Sequence, residues 1–100
     1  MNGLTALADP TRQRIVEILA GGALSSGEIA SRFEMSAPAI SQHLKTLRDA
    51  RLVRVRPMAQ KRFYELDRAG VMEVSDWIAR IRGFWANKLD ALEEHLNEDN

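Results

Sequence analysis

Between residues 36 and 50 the apolar positions Ala37, Ile40, Leu44 and Leu47 recur at steps of three and four, the period of a helix with one buried stripe. Ser36 supplies an N-cap, and Pro38 falls in the first turn, where a missing N–H costs nothing. Upstream, Leu4, Leu7 and Ala8 make a short apolar segment. Asp9 as a cap and Pro10 as the first helical residue then open a second helix. That helix buries Ile15, Ile18 and Leu19 and ends after Ala20 at the pair Gly21-Gly22. Ser25-Ser26-Gly27-Glu28 has capping-box spacing and predicts a third helix of about two turns that buries Ile29, Ala30 and Phe33.

After Ala50 the period drops to two. Leu52-Val53-Arg54-Val55-Arg56 alternates, Arg62-Phe63-Tyr64-Glu65-Leu66 is rich in aromatic and apolar residues, and Pro57-Met58-Ala59-Gln60 forms the turn between two strands. A hairpin this short is stable only when packed on the helices. Asp67 caps a last helix from about Arg68 to Leu96. The expected fold is mainly α with a small β-hairpin (α+β), in the order ααααββα. Two short helices joined by a turn and followed by a basic hairpin make a winged helix-turn-helix. The 100 residues suffice for one domain: N-terminal helices over 1–24, the helix-turn-helix over 25–50, the wing over 51–66 and a dimerisation helix over 67–97.

The last helix outruns its own core. Its apolar residues Val71, Val74, Trp77, Ile78, Ile81, Phe84, Trp85, Leu89, Leu92 and Leu96 form a stripe of roughly 40 Å, longer than a small domain is wide. Val71 to Ile78 can fold back on the domain, but Trp85, Leu89 and Leu92 then lack cover. The simplest partner is the same helix of a second copy in a two-fold dimer, its interface drawn from Leu4, Leu7, Trp77, Ile81, Phe84, Trp85, Leu89 and Leu92.

Composition narrows the function. The chain has no cysteine, which excludes thiolate metal sites, disulfides and cysteine nucleophiles. No apolar run approaches a membrane span and the opening residues show no signal-peptide pattern, so a cytoplasmic protein with no membrane partner is expected. The net charge of zero hides a division: residues 1–35 carry −1, residues 36–66 carry +5 and residues 67–100 carry −4. A positive block inside a neutral chain is the electrostatic footprint of a polyanion-binding face.

That block contains the 36–50 helix. Turning each residue by about 100° places Pro38, Gln42, Lys45 and Thr46 away from the buried stripe, with Ser41 and His43 on its borders. Gln pairs bidentately with adenine, Ser and Thr meet base edges or phosphates, and Lys neutralises phosphate, the set a major-groove reading helix needs. Gln42, Ser41 and Thr46 are therefore the candidate base contacts. Ser36, His43, Lys45, Arg54, Arg56, Lys61 and Arg62 are the candidate phosphate contacts. The hairpin cations equally serve to keep an edge strand from pairing with other chains. Arg12 and Arg14, near the start of the second helix, suit either a phosphate or plain solvation. His43 reads as a half-packed ring that offers one N–H to a phosphate or a backbone carbonyl. Ser41 and His43 do not make a nucleophile and base, because two positions along a helix diverge by about 200°. No glycine-rich phosphate loop or acid–base pair occurs elsewhere, so no enzyme and no cofactor are expected.

Leu7-Ala8-Asp9-Pro10-Thr11-Arg12, Ser36-x-x-Ala39-Ile40-Ser41-Gln42-His43-Leu44-x-x-Leu47, Ala50-x-Leu52-Val53 and Tyr64-x-Leu66 resemble the ArsR family of bacterial winged helix-turn-helix repressors, over nearly the whole chain. The ending Trp77-Ile78, Phe84-Trp85 and Leu89-Asp90-Ala91-Leu92 is similar to a branch without recognised metal ligands. The resemblance implies a homodimer that binds an imperfect palindrome in double-stranded DNA and blocks transcription, often of its own operon. The chain departs from the family in several places. The Cys-x-Cys metal pair is absent, and Asp76 with His95-x-x-Glu98 only faintly echoes the other family site, so no metal is expected. Arg51 and the wing tip stand where glycines are common. The expected function is a sequence-specific dimeric DNA-binding regulator, a repressor that is nucleoid-associated when bound to its operator, with no effector named by the pattern. The alternatives are a winged-helix protein-interaction module and a metal-responsive repressor with a non-cysteine site.

Overall fold

The computed structural model describes residues 2–98. Five helices and three short strands follow in the order α1 (Asn2–Ala6), α2 (Pro10–Leu19), β1 (Leu24–Ser25), α3 (Ser26–Ala30), α4 (Ala37–Asp49), β2 (Val53–Met58), β3 (Lys61–Leu66) and α5 (Arg68–Glu98). The helix starts are those the capping residues predict. Asp9 accepts from the backbone N–H groups of Thr11 and Arg12, Ser36 accepts from Ala39, and Ser25 and Glu28 form both halves of a capping box. Asp67 accepts from Ala69 N–H at the start of α5. Each satisfies donors that the first turn of a helix leaves without partners.

The core gathers around α4. Ile40, Leu44 and Leu47 are buried together with Ile15 and Leu19 of α2, Ile29 of α3, Leu52, Val53 and Tyr64. Among the described residues no polar or charged side chain is buried. The sheet is three-stranded and antiparallel in the order β1-β3-β2, with Leu24 opposite Tyr64 and Val55 opposite Tyr64 on its other side. This corrects the two-stranded hairpin and the order ααααββα, because β1 lies between α2 and α3. Two residues are too few to show any alternation, and β1 exists because β3 offers it a free edge. Three further details differ from the periodic reading. Helix α3 stops at Ala30, leaving Phe33 in the turn and half-buried. Ala37 is exposed, and Ala39 is the half-buried alanine of the first turn of α4. The strands run closer to the tip than expected, with Met58 opposite Lys61, so the turn is only Ala59-Gln60.

Two non-glycine residues have positive φ, Arg51 at 62° and Ala59 at 56°. Arg51 ends α4 in a Schellman arrangement: its N–H donates to the Arg48 carbonyl and Leu52 N–H donates to the Leu47 carbonyl. A left-handed Arg costs on the order of 1 kcal/mol here, a conformation that a glycine would adopt freely. The turn aims the Arg51 carbonyl at the first turn of α5, where a Cβ on Gly70 would collide with that backbone oxygen. Asp67 N–H closes the same junction on the Leu52 carbonyl at 2.8 Å.

Helix α5 leaves the core after its first turns. Val74 is buried and Trp77 half-buried, but Ile81, Phe84, Trp85, Leu89 and Leu92 are all exposed, Leu89 to 61%. At 1.5 Å per residue its 31 residues span about 46 Å. The chain accordingly measures 68 × 27 × 22 Å, with a radius of gyration of 18.6 Å against about 13 Å for a compact chain of this length. No helix is long and apolar enough to cross a membrane among the described residues.

Gly70→Ala should lower unfolding free energy by about 1–3 kcal/mol, because backbone rather than a movable side chain meets the added methyl. Urea titration measures it, and an unchanged midpoint would show that the α4–α5 junction yields.

Candidate nucleic-acid interface

Three buried residues of α4 decide which of its residues face outward. With Ile40, Leu44 and Leu47 turned inward, Ser36, Pro38, Ser41, Gln42 and Lys45 are all exposed, and His43 is half-buried at the border. Thr46 departs from the expected outward position. It is half-buried, its hydroxyl donates to the Gln42 carbonyl, and it lines a cavity of 210 Å³ with Asn2, Thr5, Ala6, Arg12, Asp49 and Ala50. Thr46 thus interrupts the outward face of α4, which carries Ser36, Pro38, Ser41, Gln42 and Lys45 and resumes at the exposed Arg48 and Asp49.

The hairpin places Arg54, Arg56 and Glu65 on one face, opposite to the face that carries Val53, Val55 and Tyr64. Arg54 and Glu65 are cross-strand partners, with Nε–Oε1 at 2.8 Å, and Arg56 reaches the other carboxylate oxygen at 3.8 Å. Glu65, whose side chain is only 19% exposed, therefore restrains both arginines. The sequence reading missed this residue, although it and Asp49 are the only acids in the positive block. Lys61 and Arg62 stand exposed at the tip. With Gln60 they face Ser25, Ser26 and Gly27 across a cleft of 430 Å³, which sets the hairpin tip beside the start of α3.

Arg12 and Arg14 part company. Arg14 is exposed and pairs with Glu17 at 3.6 Å. Arg12 is half-buried and bridges elements: its Nε donates to the Ala6 carbonyl at 2.6 Å and its Nη1 lies 3.2 Å from His43 Nδ1. Gln13 donates to the Leu7 carbonyl at 2.7 Å, so side chains of α2 satisfy the carbonyls that the end of α1 leaves over. No signal in the sequence links Arg12 to a residue 31 positions away.

Two carboxyls near these elements are perturbed. Asp9 is held below the usual carboxylate range chiefly by the backbone N–H of Arg12, then by that of Thr11 and by the charges of Arg12 and His43. Glu28 is lowered by the Ser25 backbone N–H and hydroxyl, with Lys61 and Arg32 adding attraction. Among the described residues no group of three His, Cys, Asp or Glu side chains is placed to hold a metal ion.

A helix held by its inner stripe, preceded by a short helix and flanked by a basic hairpin, defines a winged helix-turn-helix. Residues 9–55 match the arsR family of bacterial regulatory proteins. The chain is 43% identical to the helix-turn-helix-type transcriptional regulator Rv2034 of Mycobacterium tuberculosis, over 94% of this chain and 85% of that protein. It is 34% identical to the transcriptional repressor SdpR of Bacillus subtilis, over 77% and 86%. Its fold is similar to that of an ArsR-like transcriptional regulator from Rhodococcus sp. RHA1, with a TM-score of 0.75 at 27% identity over 93% of this chain and 88% of that one. The chain belongs to the ArsR family.

The lowered carboxyls carry a pH dependence with a definite sign. A carboxyl held lower in the folded state stabilises it above the unfolded value, near 3.8 for Asp9 and 4.5 for Glu28, and loses that contribution as pH falls through the folded value. Asp9→Ala should therefore be less stable than the wild-type chain near neutral pH, with the gap closing below pH 3.8. Chemical unfolding across this range measures it, and a gap that widens in acid would contradict the cap.

Proposed function

We propose that this ArsR-family chain is a dimeric, sequence-specific DNA-binding repressor that acts in the cytoplasm on an imperfect palindrome, including one before its own gene. The observation that carries the reading is the exposed face of α4, where Ser41, Gln42 and Lys45 project from a helix whose opposite stripe is buried. In this reading Gln42 and Ser41 meet base edges in the major groove, while Ser36, His43 and Lys45 approach phosphates. Thr46 acts at the rim, through its bond to the Gln42 carbonyl, more than by direct base contact. The hairpin meets the adjacent backbone, Lys61 and Arg62 from the tip and Arg54 and Arg56 from the face shared with Glu65.

The second copy is inferred from α5. Ile81, Phe84, Trp85, Leu89 and Leu92 stay exposed in one chain, and the edge-on pairing of Phe84 with Trp85 at 6.1 Å covers little of either ring. An identical helix packed against this stripe buries it, with Trp77 at the inner end. Leu4 and Leu7 pack on their own core and are half-buried, so they contribute at the margin of that interface. A two-fold pair of α4 helices predicts half-sites about 34–36 Å apart on one face of the duplex.

The decisive experiment is fluorescence-anisotropy binding of the EDTA-treated protein to duplex from upstream of its own gene and to a shuffled duplex, over a range of salt. Specific binding should be at least about 10³-fold tighter and fall steeply with salt. Equal, weak binding to both, and to a randomised pool, would point to a protein-interaction module instead. Gln42→Ala should relax discrimination at one base pair by about 1–3 kcal/mol. Glu65→Gln should do the opposite of a lost contact, releasing Arg54 and Arg56 so that every duplex binds more tightly and with a steeper salt slope. A weaker, flatter response in Glu65→Gln would show that the carboxylate holds the arginines in their binding positions. Leu89→Glu should give a monomer by sedimentation and cost specific binding, and a dimer that persists would place the interface elsewhere.

A further inference from the structure

Arg12 lies behind α4, and its hydrogen bonds determine what His43 can present in front. An arginine side chain only donates, so the nitrogen it faces, His43 Nδ1 at 3.2 Å, must accept. An accepting Nδ1 leaves the proton of the neutral ring on Nε2, across the ring from the guanidinium. Among the described residues His43 Nε2 makes no hydrogen bond, and no buried side-chain nitrogen or oxygen lacks a partner. Nε2–H therefore reaches solvent, on a helix whose neighbouring residues Gln42 and Lys45 are exposed.

We infer that Arg12 is a positioning residue for DNA recognition: it pins the His43 ring with Nδ1 accepting, so that Nε2–H is the donor His43 offers to a phosphate oxygen. The guanidinium is itself oriented by the Ala6 carbonyl at 2.6 Å, a backbone group at the end of α1 that does not turn with the side chains of α4. The backbone N–H of Arg12 is held in turn by the Asp9 carboxylate, which caps the helix that carries Arg12. Arg12 thus acts within the protein, unlike an arginine that reaches out to phosphate. The ring it holds loses less freedom on binding than an unrestrained imidazole would. The inference rests on the proposal that α4 faces DNA, and its two tests separate the one from the other.

The first test needs no DNA. Long-range proton–nitrogen spectra of the ¹⁵N-labelled chain at neutral pH should show His43 Nδ1 as the unprotonated, hydrogen-bonded nitrogen and Nε2 as the protonated one. In Arg12→Met the ring signals should shift toward those of an unrestrained histidine. A wild-type ring protonated on Nδ1, or one unmoved by Arg12→Met, overturns the inference whatever the chain binds. The second test is a double-mutant cycle on affinity for a duplex enriched from a randomised pool by the wild-type protein. His43→Ala should weaken binding by about tenfold, the size of one hydrogen bond to a charged group. Arg12→Met should cost nearly as much in the wild-type background, but less than about twofold when His43 is already alanine. Equal losses in both backgrounds would show that Arg12 acts on DNA or on the fold without His43, and would overturn the inference. Arg12→Lys, which keeps the charge and can hold either the Ala6 carbonyl or His43, should fall between the two, and it carries the cycle should Arg12→Met not fold. A pinned ring together with a pool that yields no enriched duplex overturns the DNA-binding reading, and with it the role given to Arg12.

Discussion

The burial of Ile40, Leu44 and Leu47 is the constraint on which the other elements depend. Each is at most 1% exposed, and burying a side chain of this size contributes about 1.5–3 kcal/mol. A turn of α4 by one residue would bring Ser41 inward in place of Ile40, leaving a polar side chain in a core that contains none. The azimuth of the helix is therefore fixed by hydrophobic packing alone, before any contact that Gln42 or Lys45 makes. The same stripe runs into the chain reversal. Leu47 accepts the Leu52 N–H across Arg51, and Leu52 is itself buried, so the strand that begins at Val53 leaves from a point set by the end of α4. The hairpin and α4 are thus aligned by one continuous piece of core.

Polar groups then refine what the core positions. Arg12 joins α1, α2 and α4 through part-buried hydrogen bonds at the core margin, Gln13 ties α2 to the end of α1 at the surface, and Asp9 caps α2. On the hairpin a single carboxylate sets the state of two cations. Glu65 pairs with Arg54 and Arg56 on the face they share and dilutes their field, while Lys61 and Arg62 at the tip are in no ion pair among the described residues. The net excess of positive charge over residues 36–66 is therefore unevenly available, strongest at the tip, with Lys45 and Arg48 exposed on the second half of α4.

What could be read from the sequence was whatever is local or periodic. The caps at Asp9, Ser25, Ser36 and Asp67 are signals within three residues of their targets, and each forms as expected. The stripe of α4 and the unfinished stripe of α5 follow from counting threes and fours. Ala37 was misplaced because it sits at the first position of its helix, where a stripe has no preceding turn to pack beside. Thr46 was misplaced because α1, five residues long, covers the end of α4, and nothing in a helical wheel shows what lies across from it. The strand β1, the Arg12–His43 contact and the Glu65 pairings all join residues far apart in sequence. Their cause is the approach of elements that the core brings together, which no single-element pattern encodes.

Helix α5 shows how the ends of this chemistry are tied together. Its exposed stripe begins where its own core stops, just after Val74, and Val74 itself packs on Gly3 of α1 so closely that a Cβ there would lie 2.6 Å from Val74 Cγ2. Three residues further along α1, the Ala6 carbonyl receives Arg12, whose other donor holds His43 on α4. The five-residue helix α1 therefore touches both the base of the proposed dimer helix and the residue that orients the face proposed for DNA. A small residue at Gly3 lets α5 approach, and a larger one would have to push α1, carrying the Ala6 carbonyl with it. The proposed packing of a second copy on α5 and the orientation of His43 are in this way not separate, because both are built on the placement of α1.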